Sequence, residues 1–310
     1  MPINTLQYST IFQTALDKLA EQEGVTGWMD ANAGQVIYNG GNEIKIPIMS
    51  TTGLGNYNRD TGYPQGAVTL RYQTVMLTQD RGTKFRLDAM DVNETNFVAN
   101  ASQVMGEFQR TKVTPEIDAY RLAKLATRAI AKDQVKYGYT PSKTTIVEEI
   151  KAGIKSLREK GHNGDIVIHL NYDSLEAVEL ATLGKLQAIT FSVGGIDTTV
   201  PSIDKVPLIP TASNRMYSKI DILDVDLQAT EPLKGGYVKS ATALDVNFLV
   251  IGKHVPIGVN KQDLVRVFDP MINQKANAWD IDYRRYHDLL TKENQETLIY
   301  ASIKDAKPQG

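Results

Sequence analysis

Residues 88–132 carry a helical pattern far longer than a globular domain usually holds, and that pattern constrains the rest of the chain. Phe97, Ala101, Val104, Met105 and Phe108 recur at helical spacing and make one apolar stripe among polar neighbours. Asp91 followed by Glu94 matches a capping box, with acidic groups near a helix N-terminus where the macrodipole favours them. A second helical stretch puts Ile117, Leu122, Leu125, Ala126, Ala129 and Ile130 on one side. Pro115 lies between the two. With Thr114 as cap it would open a new helix; otherwise it kinks a single long one. Either way the pattern predicts about forty helical residues, against a usual mean of about 11–12. Such a rod suits a scaffold that spaces other parts, and it carries no obvious catalytic constellation.

What precedes the rod is extended. Residues 43–50 alternate through Ile44, Ile46 and Ile48, and residues 68–77 alternate through Val68, Leu70, Tyr72, Thr74 and Met76. The intervening 51–67 is rich in Gly, Asn, Asp and Pro, so a long hairpin with a polar, flexible tip is predicted. A lone two-stranded ribbon is marginal in water. It needs a surface, either its own domain or a neighbouring molecule. Further upstream, residues 6–22 read as a short amphipathic helix with Ile11, Phe12, Ala15, Leu16 and Leu19 on one face. The glycines that follow, from Gly24 to Gly41, fit an arm docked elsewhere as well as a helix packed on its own domain.

After the rod and a turn-rich 136–142, helices and strands alternate. Residues 144–160 read as a helix closed by Gly161, 165–170 as a strand and 174–183 as a helix. Strands are predicted at 187–193, 198–200, 206–209 and 216–223, giving a compact α/β lobe over 137–243. From Asp245 the chain turns mainly to strands, at 245–251, 254–259, 264–268, 281–287 and 298–303. The fold class is α+β, without internal repeats.

Chemistry is hard to find. Gly53 and Gly55 lack the third glycine and the strand-to-helix setting of a dinucleotide loop, and no Walker-type motif occurs. The four histidines, His162, His169, His254 and His287, show no ligand spacing. The chain has no cysteine, which removes thiol catalysis and thiolate metal sites. Asp221, Asp224 and Asp226 could hold a divalent cation or act as acid and base, but they lack a glycine turn and a distal glutamate, so a solvated strand edge is the plainer reading. Asp280, Asp282, Arg284, Arg285 and Asp288 alternate in sign around Tyr283 and Tyr286, which suits ion pairs or a subunit contact. A net charge of −2 from 34 basic and 36 acidic residues argues against tight wrapping of DNA. Lys18 is the first basic residue and the longest apolar runs, such as 248–251, are too short to span a bilayer, so neither a secretory signal nor a membrane is expected. The expectation is a soluble protein made inside the cell, with no catalytic, cofactor or metal residues assigned.

Four stretches together resemble the major capsid (head) proteins of tailed bacteriophages, with their Hong Kong 97-type shell fold. Residues 80–95 (DRGTKFRLDAMDVNET) are similar to that family's junction between hairpin and spine helix, and 113–126 (VTPEIDAYRLAKLA) to its spine. Residues 254–290 resemble the closing sheet of its peripheral domain, and 297–306 (TLIYASIKDA) its last strand. The resemblance implies an N-terminal arm at 1–35, an extended loop at 36–87 with its β-hairpin at 43–78, and a spine helix of the peripheral domain at 88–136. An axial domain at 137–243 and the peripheral β-sheet with the C-terminus at 244–310 complete it. The implied function is structural: pentamers and hexamers tiling an icosahedral head around weakly contacted double-stranded DNA, in the virion, after assembly in the host bacterial cytoplasm. A portal and a separate scaffolding protein are the implied partners, because the arm starts almost at Met1 with no long charged segment before it. No local signal assigns the lysine, asparagine and glutamate crosslink of some relatives. Tyr57, Arg59 and Tyr63 at the hairpin tip, and Arg81 and Arg86 at its base, are the expected contacts with a neighbouring subunit. Three other readings stay open. One is an encapsulin-like nanocompartment shell of the same fold. The others are a hydrolase using Asp224 and Asp226 with the hairpin as lid, and a monomeric binding module gripping a ligand with 51–67.

Overall fold

The computed structural model describes residues 22–35, 37–38, 43–90, 101–183, 185–193, 196–224, 235–272 and 276–308. In chain order these hold β1 (Ile37–Tyr38), β2 (Glu43–Thr51), β3 (Val68–Met76), β4 (Gln79–Asp88), α1 (Ala101–Phe108) and α2 (Thr114–Ala131). Then follow β5 (Val135–Lys136), α3 (Ile146–Glu159), β6 (Ile166–Asn171), α4 (Tyr172–Thr182), β7 (Gln187–Val193), β8 (Ile196–Ile203) and β9 (Val206–Thr211). Last come β10 (Ile220–Leu223), β11 (Gly236–Lys239), β12 (Val246–Gly252), β13 (Pro256–Phe268), β14 (Ala278–Thr291) and β15 (Ile299–Ile303).

The rod is one run. A π turn, Gln109–Val113, joins α1 to α2 without a break. Val113 is itself helical (φ −71°, ψ −48°), so Thr114 does not cap a new helix. Pro115 has no N–H, and its ring would press on the carbonyl four residues back in a straight α-helix. The chain answers by widening the turn before it, where the Thr114 N–H bonds the Gln109 carbonyl five residues back. The Asp91–Glu94 box and Phe97 lie outside the described residues. Asp88, expected at the start of the rod, instead ends β4, opposite Ala278 of β14. The reason is a period-two pattern: Phe85 and Leu87 turn inward, while Asp88 is exposed.

Seven strands, in the order β5-β15-β12-β6-β9-β8-β7, form the central sheet. The β6–β9 and β15–β5 pairs are parallel and the others antiparallel. Both faces are covered, which is why β6 and β12 read as continuous apolar runs. Val167, Leu249 and Ile251 face α2, with Leu122, Leu125, Ala126 and Ala129. Ile168, Phe248 and Val250 face the layer of α3 and α4, with Ile150, Leu157 and Val178. This sheet takes strands from both the 137–243 and the 244–310 stretches. The described end of the 1–35 segment joins the same core through Val25, Trp28 and Met29.

A second sheet, β13-β14-β4, leans on α1. Leu87, Ile281 and Tyr283 pack with Met105, and Phe108 meets Phe85 and Tyr283 edge-on at 4.9 and 5.8 Å. Strands expected separately at 254–259 and 264–268 are one strand, β13, with a bulge between Asn260 and Gln262. A bulge lets a strand bend without ending. The hairpin β2–β3 makes a third sheet with β1 and is laid against the base of β13 and β14.

Candidate subunit interface

The hairpin has two apolar faces, and only one of them is covered. Ile44, Ile46 and Ile48 are buried, and the first two pack on Ile257, Val259, Tyr286 and Leu290. Cross-strand partners share a face. Ile44 opposes Val75, Ile46 opposes Gln73 and Ile48 opposes Arg71, so this side belongs to the body. On the other side Pro47 opposes Tyr72, Met49 opposes Leu70 and Thr51 opposes Val68. Met49 is 66% exposed, Val68 69%, Leu70 58%, Tyr72 59% and Met76 60%. The alternation predicted for 68–77 is present, but it points into water. Arg71 to Glu293 (2.7 Å) and Gln73 Nε2 to the Thr291 carbonyl (3.1 Å) clamp the covered side.

The tip is less polar than predicted. Asn58 and Gly62 exchange backbone hydrogen bonds, with Gly62 at φ +83°, a left-handed conformation that favours glycine. Tyr57 and Tyr63 meet edge-to-face at 5.0 Å, both exposed, beside an exposed Leu54 and an exposed Arg59. These three predicted contact residues therefore sit together at the outer end of the hairpin.

Arg81 and Arg86 sit at its base, engaged within the chain. Arg81 Nε donates to Glu116 at 2.9 Å, and its other nitrogens donate to Asp224 at 3.1 Å and to the Leu223 carbonyl at 2.9 Å. Arg86 grips both oxygens of Asp280 at 2.7 and 3.0 Å, and Lys84 adds a third contact at 2.7 Å. The Arg86 hydrogen bonds, with Lys84 behind them, hold the Asp280 carboxyl down at about 2. The sign-alternating run on β14 is thus a ladder of ion pairs across the sheet, continued by Arg284 on Asp80 at 2.9 and 2.6 Å.

The two described members of the acidic cluster are engaged separately. Asp224 is spent on Arg81, Asp221 pairs with Val238 across the β10–β11 ribbon, and Asp226 lies outside the described residues. No group of three or more His, Cys, Asp or Glu side chains could hold a metal ion among the described residues. The four histidines occupy three places. His162 and His254 stack at 5.0 Å. His169 takes a hydrogen bond from Trp28 Nε1 at 3.1 Å and pairs with Thr211 through its other nitrogen, and complete burial pushes it down to about 3. His287 is pushed down to about 3, by burial first and then by Arg285 and Arg121.

Sequence reasoning missed a buried clasp that orients these surfaces. Asp118, on α2, accepts from the Val25 and Thr26 amides at 2.9 and 3.1 Å, from Thr26 Oγ1 at 2.5 Å and from Arg215 at 2.9 Å. One turn on, Arg121 donates to Asp30 at 2.5 Å and to the Thr26 carbonyl at 3.0 Å. A third carboxylate, Asp288, gathers Lys124 at 2.5 Å, Tyr120 at 2.8 Å and Thr78 at 3.0 Å, tying the hairpin base to α2. The signal was there: Asp118, Arg121 and Lys124 recur every three residues beside the apolar stripe, a spacing usually read as a solvated face.

A second apolar surface ends the β13–β14 hairpin. Val265, Val267 and Phe268 are exposed there, and Met271 beyond them is 96% exposed. No helix among the described residues is long and apolar enough to cross a membrane.

No family model matches the chain, and no curated protein matches it by sequence. Solved structures do. The chain is similar over 96% of its length, and 94% of the other chain, to the capsid structure of the Cyanophage P-SCSP1u (TM-score 0.61, 12% identity). A structure from Mycobacterium phage Che8 is covered over 98% of both chains (TM-score 0.57, 12% identity). The asymmetric unit of the bacteriophage PhiM1 mature capsid is similar over 96% of this chain and 92% of its own (TM-score 0.57, 9% identity). The shared property is the fold, over nearly the whole chain.

Proposed function

We propose that the chain is the major capsid protein of a tailed bacteriophage, a tile that assembles as pentamers and hexamers into an icosahedral shell around double-stranded DNA. One observation carries this reading: the outer face of the β2–β3 hairpin, with Met49, Val68, Leu70, Tyr72 and Met76, is apolar and open to water. Contiguous apolar patches of that kind mark interaction surfaces on soluble proteins. A tile overlapped by its neighbours covers them, and many modest contacts repeated by symmetry close a shell. In this reading 36–87 is the loop that overlaps a neighbouring subunit, with Tyr57, Arg59 and Tyr63 as its leading contacts. Arg81 and Arg86 then act by stiffening the loop's base, not by reaching across. The remaining divisions are carried over from the sequence as proposals, spine at 88–136, axial domain at 137–243 and peripheral sheet at 244–310, although Asp88 closes β4 and β12 and β15 of the last stretch share the central sheet with β6 and β9. A net charge of −2 suits a wall that contains DNA without condensing it. Scaffolding and portal proteins complete the proposed assembly in the host cytoplasm.

The test substitutes the outer face alone. Met49→Ser with Tyr72→Ser should leave circular dichroism and unfolding midpoint near those of the parent chain while abolishing shells, tubes or capsomers in sedimentation and negative-stain microscopy. Assembly of this variant at the parent's yield, or a parent chain that stays monomeric even with its scaffolding protein, would overturn the reading. Nucleic acid inside the shells, as opposed to enzyme cargo, separates a phage head from a nanocompartment.

A further inference from the structure

The outermost strand of a sheet has backbone groups without partners on one side, and proteins guard such edges with charge, bulges or brevity. Among the described sheets, every edge but one is guarded in these ways. Arg71 lies on β3, Arg81, Lys84 and Arg86 on β4, Asp221 on β10 and Lys239 on β11. Strand β13 carries Lys261, Asp263 and Arg266 and is bulged between Asn260 and Gln262. Strands β1 and β5 are 2 residues long. The exception is β7, which ends the seven-stranded sheet. Its 7 residues, QAITFSV, include no charge, no proline and no glycine.

The register with β8 fixes which backbone groups of β7 face outward. Ser202 Oγ donates to the Gln187 carbonyl at 2.8 Å and Thr198 Oγ1 to the Phe191 carbonyl at 3.3 Å, so both carbonyls point toward β8. Ala188 stands opposite Pro201, which has no N–H to give. Backbone direction alternates along a strand, so Ala188, Thr190 and Ser192 turn both N–H and C=O away from β8. No hydrogen bond among the described residues reaches those groups. Their side chains are small and exposed. On the opposite face Ile189 and Phe191 meet the core, with Phe191 edge-on to Trp28 at 6.4 Å.

We propose that this edge takes β7 of a second copy, antiparallel, about a two-fold axis through Thr190. The strand is complementary to itself in that register. Ala188 meets Ser192 of the second copy, Thr190 meets Thr190, and Ser192 meets Ala188, so every outward group finds an outward group. Each such pair exchanges two hydrogen bonds, about six in all. Charge decides for a copy of the same strand: near a two-fold axis every charge meets its like, which is destabilising, and β7 brings none. The side chains agree. Thr190 opposes Thr190 on the exposed face, and on the core face Ile189 opposes Phe191 of the second copy, a β-branched residue against an aromatic one. The central sheet then continues across the axis into its copy. A pairing of two strands is weak on its own, so it forms as the free chain is concentrated. Neighbours around a pentamer or hexamer ring meet head to tail through different surfaces, so this two-fold contact is separate from the shell contact and does not rest on that reading.

The chain contains no cysteine, so single introduced cysteines report the register cleanly. Full-length Thr190→Cys, concentrated and mildly oxidised, should form a disulfide-linked dimer on a non-reducing gel, because the two Cα atoms lie about 5.5 Å apart across the axis. In Ser192→Cys the two cysteines are offset by four residues, roughly 13 Å. That chain should link on the order of tenfold less, since Cα atoms beyond about 7 Å cannot bridge. Linking at Ser192→Cys as strong as at Thr190→Cys, or linking at neither, overturns the pairing. The parent chain gives a second reading by residue-resolved hydrogen exchange. From dilute to concentrated solution the amides of Ala188, Thr190 and Ser192 should gain protection on the order of tenfold, while those of Ile189 and Phe191, already turned to β8, change little. Thr190→Lys sets two ammonium groups against each other at the axis and should abolish that gain with the unfolding midpoint unchanged. Protection independent of concentration, or a gain that persists in Thr190→Lys, overturns the proposal.

Discussion

Asp118→Ala should cost this chain a large part of its stability, and the structure says how the loss divides. The carboxylate is 2% exposed and accepts four hydrogen bonds, from two backbone amides, one hydroxyl and the fully buried Arg215. Removing one partner of a buried ion pair costs about 3–5 kcal/mol, because the other charge stays buried and uncompensated. The Val25 and Thr26 amides lose their acceptor too, at about 1–3 kcal/mol each if no water replaces it. Water entering the vacated space will satisfy some of these groups, so the expected total is about 4–6 kcal/mol, against whole-domain stabilities of about 5–15 kcal/mol. Arg215→Met in the Asp118→Ala background removes the stranded charge, and should recover about 2–3 kcal/mol of it. It will not recover everything, since the two amides stay orphaned and the Arg215 bond to the Gln22 carbonyl (2.6 Å) is gone. Urea unfolding of the unassembled chain gives the four corners of the cycle, and hydrogen exchange at 22–30 locates the loosening. A loss below about 1 kcal/mol for Asp118→Ala, or a double variant as damaged as the sum of both singles, would refute the reasoning.

Two further predictions follow from the same region and from the core. A Cβ at Gly258 would run into the Asp30 carboxylate and lie 3.0 Å from Arg121 Nη2, so Gly258→Ala should cost about 2 kcal/mol by urea unfolding; an unchanged midpoint would show that the Arg121–Asp30 pair is dispensable. His169 and His287 are held neutral to about pH 3, well below the ordinary histidine value of about 6.5. The unfolded chain therefore binds more protons below pH 6.5, and stability present above that value is lost as pH falls toward 3, at about 1.4 kcal/mol per pH unit for each histidine. His254 is also pushed down, by burial first, so His169→Gln should remove one histidine's share, about 1.4 kcal/mol per pH unit, from the slope between pH 6 and 4, and an unchanged slope in urea unfolding would contradict the assignment.

The parts of this fold that were legible in the sequence are those whose signal is local. Period-two alternation placed β2 and β3, and unbroken apolar runs placed β6 and β12, because those patterns depend only on neighbours in the chain. The π turn before Pro115 was half legible: proline forbids a straight helix, but only packing decides between a fresh start and a widened turn. The clasp was not legible. Asp118 and Arg121 look like a solvated helix face until Val25, Thr26, Asp30 and Arg215 arrive from about ninety residues away in either direction. Strand β4 was hidden for a similar reason, since its charged residues are paired on β14, about two hundred residues on.

The hairpin shows why local legibility stops short of function. Both of its faces carry large apolar side chains, so composition alone does not show that one of them is left uncovered. The structure decides through register: Ile44 and Ile46 meet Ile257, Val259 and Leu290, and their opposition to Val75 and Gln73 fixes which side turns away. A slip of one residue would exchange the two faces, putting Met49 and Tyr72 inside and the isoleucines in water. β2 itself resists that slip, because Glu43 and Lys45 share the outward side with Pro47 and Met49 and would be buried by it. Polar clamps on the β3 side fit the same register, Arg71 to Glu293 and Gln73 to the Thr291 carbonyl. The outward face is therefore not a remainder left over from folding. It is held outward by interactions that would be lost if it turned in, and that is the arrangement required of a surface whose partner lies on another molecule.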